Sequence, residues 1–106
     1  MGSNSSLFVD AKTITTGGTS QVLLAPSVAE SGVGSVVIKA RKGNTVALYL
    51  GNATTGGGTN GSGLTATTGF ELQPGDSVSI DILGLGRAYI FCATTGQAYD
   101  VLSIGA

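Results

Sequence analysis

Phe70-Glu71-Leu72-Gln73-Pro74-Gly75-Asp76-Ser77-Val78-Ser79-Ile80-Asp81-Ile82 is the run that decides the fold. It holds a short apolar burst, a tight turn and an alternating segment. In Gln73-Pro74-Gly75-Asp76 the proline presets φ and the glycine supplies a positive φ, as a tight turn requires. Beyond it, Val78, Ile80 and Ile82 share one face and Ser77, Ser79 and Asp81 the other. That period of two predicts a strand with one buried face.

The same grammar extends in both directions. Upstream, residues 45–51 place Val46, Leu48 and Leu50 inward and Tyr49 on the opposite face. Residues 35–41 set Val36, Ile38 and Ala40 against Val37, Lys39 and Arg41, and Lys42-Gly43-Asn44 supplies a turn. Residues 19–24 predict a strand that Pro26 ends, since proline cannot donate to a sheet ladder. Downstream, Gly84-Leu85-Gly86 turns the chain, and residues 88–93 are apolar on both faces, the mark of a central strand. Residues 99–104 close the domain. No segment sustains apolar spacing of three and four, so no long helix is expected. Seven or eight short strands with Gly/Pro turns predict an all-β fold, an antiparallel β-sandwich or small barrel, jelly-roll-like.

Residues 52–68 break the pattern. Five of the seventeen are glycine and six are threonine, and Leu64 is their only large apolar side chain. Loops of this length are uncommon in compact domains and tend to be functional or mobile. Ala-Thr-Thr-Gly occurs at 53–56, 66–69 and 93–96. The starts are unevenly spaced, so this is reused turn chemistry and not a solenoid repeat. At the other end, Met-Gly-Ser-Asn-Ser-Ser is a polar leader followed by the burst Leu7-Phe8-Val9. Residues 1–12 are expected to form an N-terminal arm and residues 13–106 a single domain. The burst is expected to act either as an edge strand of its own domain or as an anchor on a neighbour.

Composition narrows the chemistry. Five basic and six acidic residues leave a net charge of −1 over 106 residues. Nucleic acid is excluded as an expected partner, because phosphate binding needs clustered Lys and Arg. No apolar run approaches the ~18 residues of a membrane helix, so no membrane partner is expected. The start shows no charged segment leading into an apolar one, so no signal peptide is expected. The chain has no histidine, so hydrolytic triads lack their usual base and zinc sites their usual ligand. The carboxylates Asp10, Glu30, Glu71, Asp76, Asp81 and Asp100 are scattered, with no Asp-x-Asp calcium spacing. No catalytic residue, metal or cofactor is expected. Cys92 lies in an apolar run and predicts a buried structural thiol. Gly61-Ser62-Gly63-Leu64-Thr65-Ala66 spells a dinucleotide fingerprint only on paper, because no strand precedes it and no helix follows.

The stretch Val46-Ala47-Leu48-Tyr49-Leu50-Gly51, then Leu64 through Asp81 with Gly69-Phe70-Glu71-Leu72-Gln73-Pro74-Gly75 at its centre, resembles small virion proteins of tailed bacteriophages. A Tyr-Leu-Gly strand end, a Gly/Thr loop, a Gly-Phe-x-Leu-x-Pro-Gly turn and an alternating strand carry the resemblance, which spans residues 20–106. The loop at 52–63 is longer than that pattern needs. The resemblance implies a β-sandwich capsid decoration (cement) protein that binds and stabilises the assembled head. Its partners would be the major capsid protein and two further copies in a homotrimer, at the capsid surface of a virion made in the bacterial host cytoplasm. The alternative it implies is a receptor- or carbohydrate-binding module of a fibre or tail. Candidate partner contacts are Leu7, Phe8 and Val9 on the arm, Tyr49 facing away from the core, and Leu64 in the loop.

Overall fold

The structure is a computed structural model, and it describes residues 7–23, 33–81 and 88–105. Eight strands form two four-stranded sheets: β1 (Leu7–Thr13), β2 (Gln21–Val22), β3 (Val33–Ala40), β4 (Leu48–Asn52), β5 (Phe70–Leu72), β6 (Ser77–Asp81), β7 (Ala88–Phe91) and β8 (Ala98–Gly105). One sheet runs β1-β8-β3-β6 and the other β2-β7-β4-β5. Every pairing is antiparallel.

The order has a simple origin. Four nested antiparallel pairs, β1 with β8, β2 with β7, β3 with β6 and β4 with β5, make one long ribbon. Rolling that ribbon lays β8 against β3 and β7 against β4. The result is the jelly-roll form of the β-sandwich. The core lies between the sheets, where Val36, Ile38 and Ala40 meet Tyr99 and Val101 from one sheet and Leu48, Leu50, Leu72 and Ile90 from the other. Cys92 belongs to that core, and its thiol donates to the Ala47 carbonyl at 3.5 Å.

The expected strands are present with altered ends. The 19–24 segment contracts to Gln21–Val22, and the turn at 84–86, Ile82 and Pro26 lie outside the described residues. The expected boundary between arm and domain at 12/13 is corrected: Leu7–Thr13 is a full strand of the sandwich, registered residue for residue on β8. Backbone pairing overrides the local impression of an arm, because β8 offers this strand a seven-residue ladder.

At one end of the sandwich the chain crosses between sheets four times, at residues 14–20, 41–47, 73–76 and 92–97. A crossing chain leaves its ladder and must find other hydrogen-bond partners. Side-chain amides supply them. Asn44 Nδ2 donates to the Ala98 carbonyl at 2.8 Å, and the Ala98 amide donates to Asn44 Oδ1 at 2.7 Å. Gln97 Oε1 accepts from the amides of Thr45 and Val46 at 2.6 and 3.2 Å. Gln21 ties the end of β1 to the other sheet by donating to the Thr13 carbonyl at 3.0 Å and to the Tyr99 hydroxyl at 3.3 Å. The 73–76 turn closes on β3, with the Gly75 amide donating to the Ala40 carbonyl at 2.8 Å. Asn44→Ala is therefore expected to cost about 1–3 kcal/mol, the penalty of stranding half-buried backbone groups. Urea unfolding of the variant checks this, with a midpoint that falls while the slope stays constant.

Candidate interaction surfaces

The two outer faces of the sandwich differ. On the β2-β7-β4-β5 sheet, Tyr89 and Phe91 point away from the main core yet are nearly fully buried. The Gly/Thr loop is what covers them. Leu64, only 2 % exposed, forms with Tyr89 and Phe91 a second cluster against which Val22, Tyr49 and Ala53 pack. Tyr49 and Phe91 stand with ring centroids 6.4 Å apart at 56°, a tilted pair. The double-sided apolarity of β7 thus reflects one core on each side of its sheet.

The loop is ordered by its own small side chains. Asn52 Oδ1 accepts from the Thr54 amide and the Thr55 hydroxyl, both at 3.0 Å, and the Asn52 amide donates to Thr55 Oγ1 at 2.8 Å. Thr68 Oγ1 donates to the Gly63 carbonyl at 2.7 Å while accepting from the Thr65 amide at 2.9 Å. Asn60 and Gly61 both have positive φ, 51° and 82°, the pairing that tight turns use. Ser20 clamps this turn by donating to the Gly61 carbonyl at 2.7 Å. A Cβ at Gly51 would lie 2.9 Å from Leu64 Cδ1, so the glycine that ends Tyr-Leu-Gly makes room for the leucine. The expectation of a mobile or partner-binding loop gives way to a folded cover, because Leu64 finds its apolar partners within its own domain.

The expected contact residues therefore do not form one surface. Leu64 is corrected from a partner contact to a buried plug. Tyr49 is half-buried beneath the same cover. Leu7, Phe8 and Val9 open β1 opposite Ile104, Ser103 and Leu102, which is the edge-strand outcome for the burst; their side chains lie outside the described residues. Phe70, which the contact expectation omitted, is 58 % exposed and is the one large apolar side chain exposed among the described residues. It shares a strand face with Leu72 but stands at the first position of a three-residue edge strand.

The outer face of the β1-β8-β3-β6 sheet has no such cover among the described residues. It carries a depression of about 370 Å³ lined by Ala11, Val37, Lys39, Arg41, Ser77, Asp100 and Leu102. Arg41 Nε reaches both oxygens of Asp100 at 3.0 and 3.1 Å, and its Nη2 reaches Oδ1 at 2.7 Å. The hydrogen bond to Asp100 first, and the carboxylate charge second, raise the guanidinium pKa above its ordinary value. A base whose pKa rises on folding stabilises the fold at every pH below its titration and loses that contribution only as pH climbs through it. The pair is thus constant through neutral pH. With no histidine in the chain, thermal midpoints are expected to stay flat between pH 6 and 8, which calorimetry across that window checks. Among the described residues, no three of His, Cys, Asp and Glu converge as metal ligands. Among them also, no helix is long and apolar enough to cross a membrane.

These features define an all-β jelly-roll sandwich with one self-covered outer face and one that has no cover among the described residues. No family model and no curated protein matches the sequence. A solved structure with the same fold comes from work describing Bacillus endospore appendages as a novel family of disulfide-linked pili. It is 16 % identical, the match covers 95 % of this chain and 84 % of that one, and the TM-score is 0.58. At that identity the likeness concerns the fold alone.

Proposed function

We propose that this protein is a capsid decoration subunit of a tailed bacteriophage, seated on the major capsid protein of the assembled head. The observation that carries the reading is the integrity of the resembling run. Residues 46–51 and 64–81 belong to one succession of elements: β4, the cover that folds back over it, β5, the 73–76 turn and β6. The motif that resembles virion proteins is thus the framework of the domain. Tied crossings and a sealed outer face leave little conformational freedom to lose on docking, which favours tight attachment. A protein that binds the assembled shell and not its free subunit stabilises the shell by linkage. The structural neighbour comes from disulfide-linked pili, and a link of that kind needs an accessible thiol. Cys92 is 0 % exposed, which favours attachment by surface contact.

Mixing the purified chain with heads that lack it tests the reading. Saturable co-sedimentation with heads, absence of binding to free capsid subunits, and a higher temperature of head disruption are the expected results. Heads that neither retain the chain nor gain stability would remove the proposal. Exposed Phe70 favours a second reading, a carbohydrate- or receptor-binding module, although Tyr89 and Tyr99 are buried and add nothing to an aromatic platform. Glycan binding abolished by Phe70→Ala would favour that module.

A further inference from the structure

We propose that the open β5–β6 side of the sandwich is a self-association surface, on which β6 of one copy pairs antiparallel with β6 of a second copy about a two-fold axis. β6 is the last strand of its sheet, bonded to β3 on one side with no described strand on the other. Natural edge strands are protected by brevity, proline, charged side chains (lysine above all) or bulges. The edges β2 and β5 are two and three residues long, and β1 carries Asp10 and Lys12. β6 has the fewest of these devices: it is five residues long, without proline, lysine or arginine, its register on β3 is unbroken, and its one charge, Asp81, stands at its end. Its inner-face residues Val78 and Ile80 are only partly buried, although they pack on the core. Exposed Phe70 stands on β5, which the 73–76 turn joins directly to β6.

The strand's own pattern selects a second copy as the partner. Ser77-Val78-Ser79-Ile80-Asp81 is symmetric in polarity about Ser79. In an antiparallel pair centred there, position 78 meets position 80 of the other copy and position 77 meets position 81. Apolar positions fall opposite apolar ones, and the single acidic position falls opposite serine and never opposite itself. A two-fold contact demands this self-complementarity, since the same patch serves both partners. The joined sheet runs β1-β8-β3-β6-β6-β3-β8-β1. A two-fold pair takes the place of the three-fold assembly expected from the sequence, and it does not depend on the decoration reading.

Position 79 lies on the axis and faces itself, which gives a discriminating test. Sedimentation equilibrium of the full chain is expected to show a dimer of the 10.4 kDa chain. Ser79→Lys and Ser79→Glu, each alone, set like charges across the axis and are expected to weaken the dimer by at least about tenfold. An equal mixture of the two variants is expected to restore it. Ser79 is exposed, so the circular dichroism of each variant should remain native. As a second measurement on the unmodified chain, amide exchange at residues 77–81 should slow as concentration rises. A monomer or trimer at all concentrations, a dimer indifferent to both charges, a mixture that fails to re-form it, or exchange independent of concentration would overturn the proposal. A chain that dimerises as described but does not bind heads would count against the decoration reading and leave this one standing.

Discussion

Tyr99→Ala is expected to destabilise the domain by about 3–5 kcal/mol, the range for removing a large buried aromatic side chain. Tyr99 is 0 % exposed and sits on β8 between Lys12 of β1 and Ala40 of β3. Its ring fills the core below the inter-sheet crossings, and its hydroxyl accepts from Gln21 Nε2. Truncation therefore opens a cavity and removes a polar tie between the sheets at once. Single domains are stable by roughly 5–15 kcal/mol, so the variant should unfold at much lower urea concentration. Tyr99→Phe separates the two effects: it keeps the ring and should lose only about 0.5–1.5 kcal/mol with the hydrogen bond. Equal losses for the two variants would show that the ring does not fill the core.

Leu64→Ala is expected to cost about 2–5 kcal/mol, the transfer of a buried leucine plus its cavity. The residue lies in a loop, where most substitutions fall within about 0.5 kcal/mol, so the contrast with its neighbours is the measurement. Thr67→Ala, an exposed change in the same loop, serves as the reference. In the Leu64 variant the cover should loosen over Tyr89 and Phe91, and near-ultraviolet circular dichroism of the aromatic cluster should weaken before the sheets melt. A loss matching that of Thr67→Ala would mean that the loop does not seal the face.

Alternation carried most of the fold. Val36-Ile38-Ala40, Leu48-Leu50 and Val78-Ile80 were assigned to the inner face by period alone, and all of them pack there. The 73–76 turn was legible because proline and glycine restrict the backbone locally, whatever surrounds them. β1 was only partly legible. Its first three residues are apolar, but Asp10 and Lys12 interrupt the burst. Its strand character comes from β8, a partner some 90 positions away in the chain. The loop was misjudged for a related reason. Its glycines and threonines give no period, and only the folded sheet presents Tyr89 and Phe91 for Leu64 to cover.

The sequence by itself determined an all-β fold, sandwich or small barrel, the inner faces of β3, β4 and β6, the buried thiol and the turn chemistry, because each depends on contacts between near neighbours or on the burial preference of one residue. Only the tertiary structure decided the jelly-roll order, the place of β1, the sealing of one outer face and the exposure of Phe70. Those depend on which distant strands meet. A period of two says which face of a strand is wet, but it does not say which strand or loop will cover it.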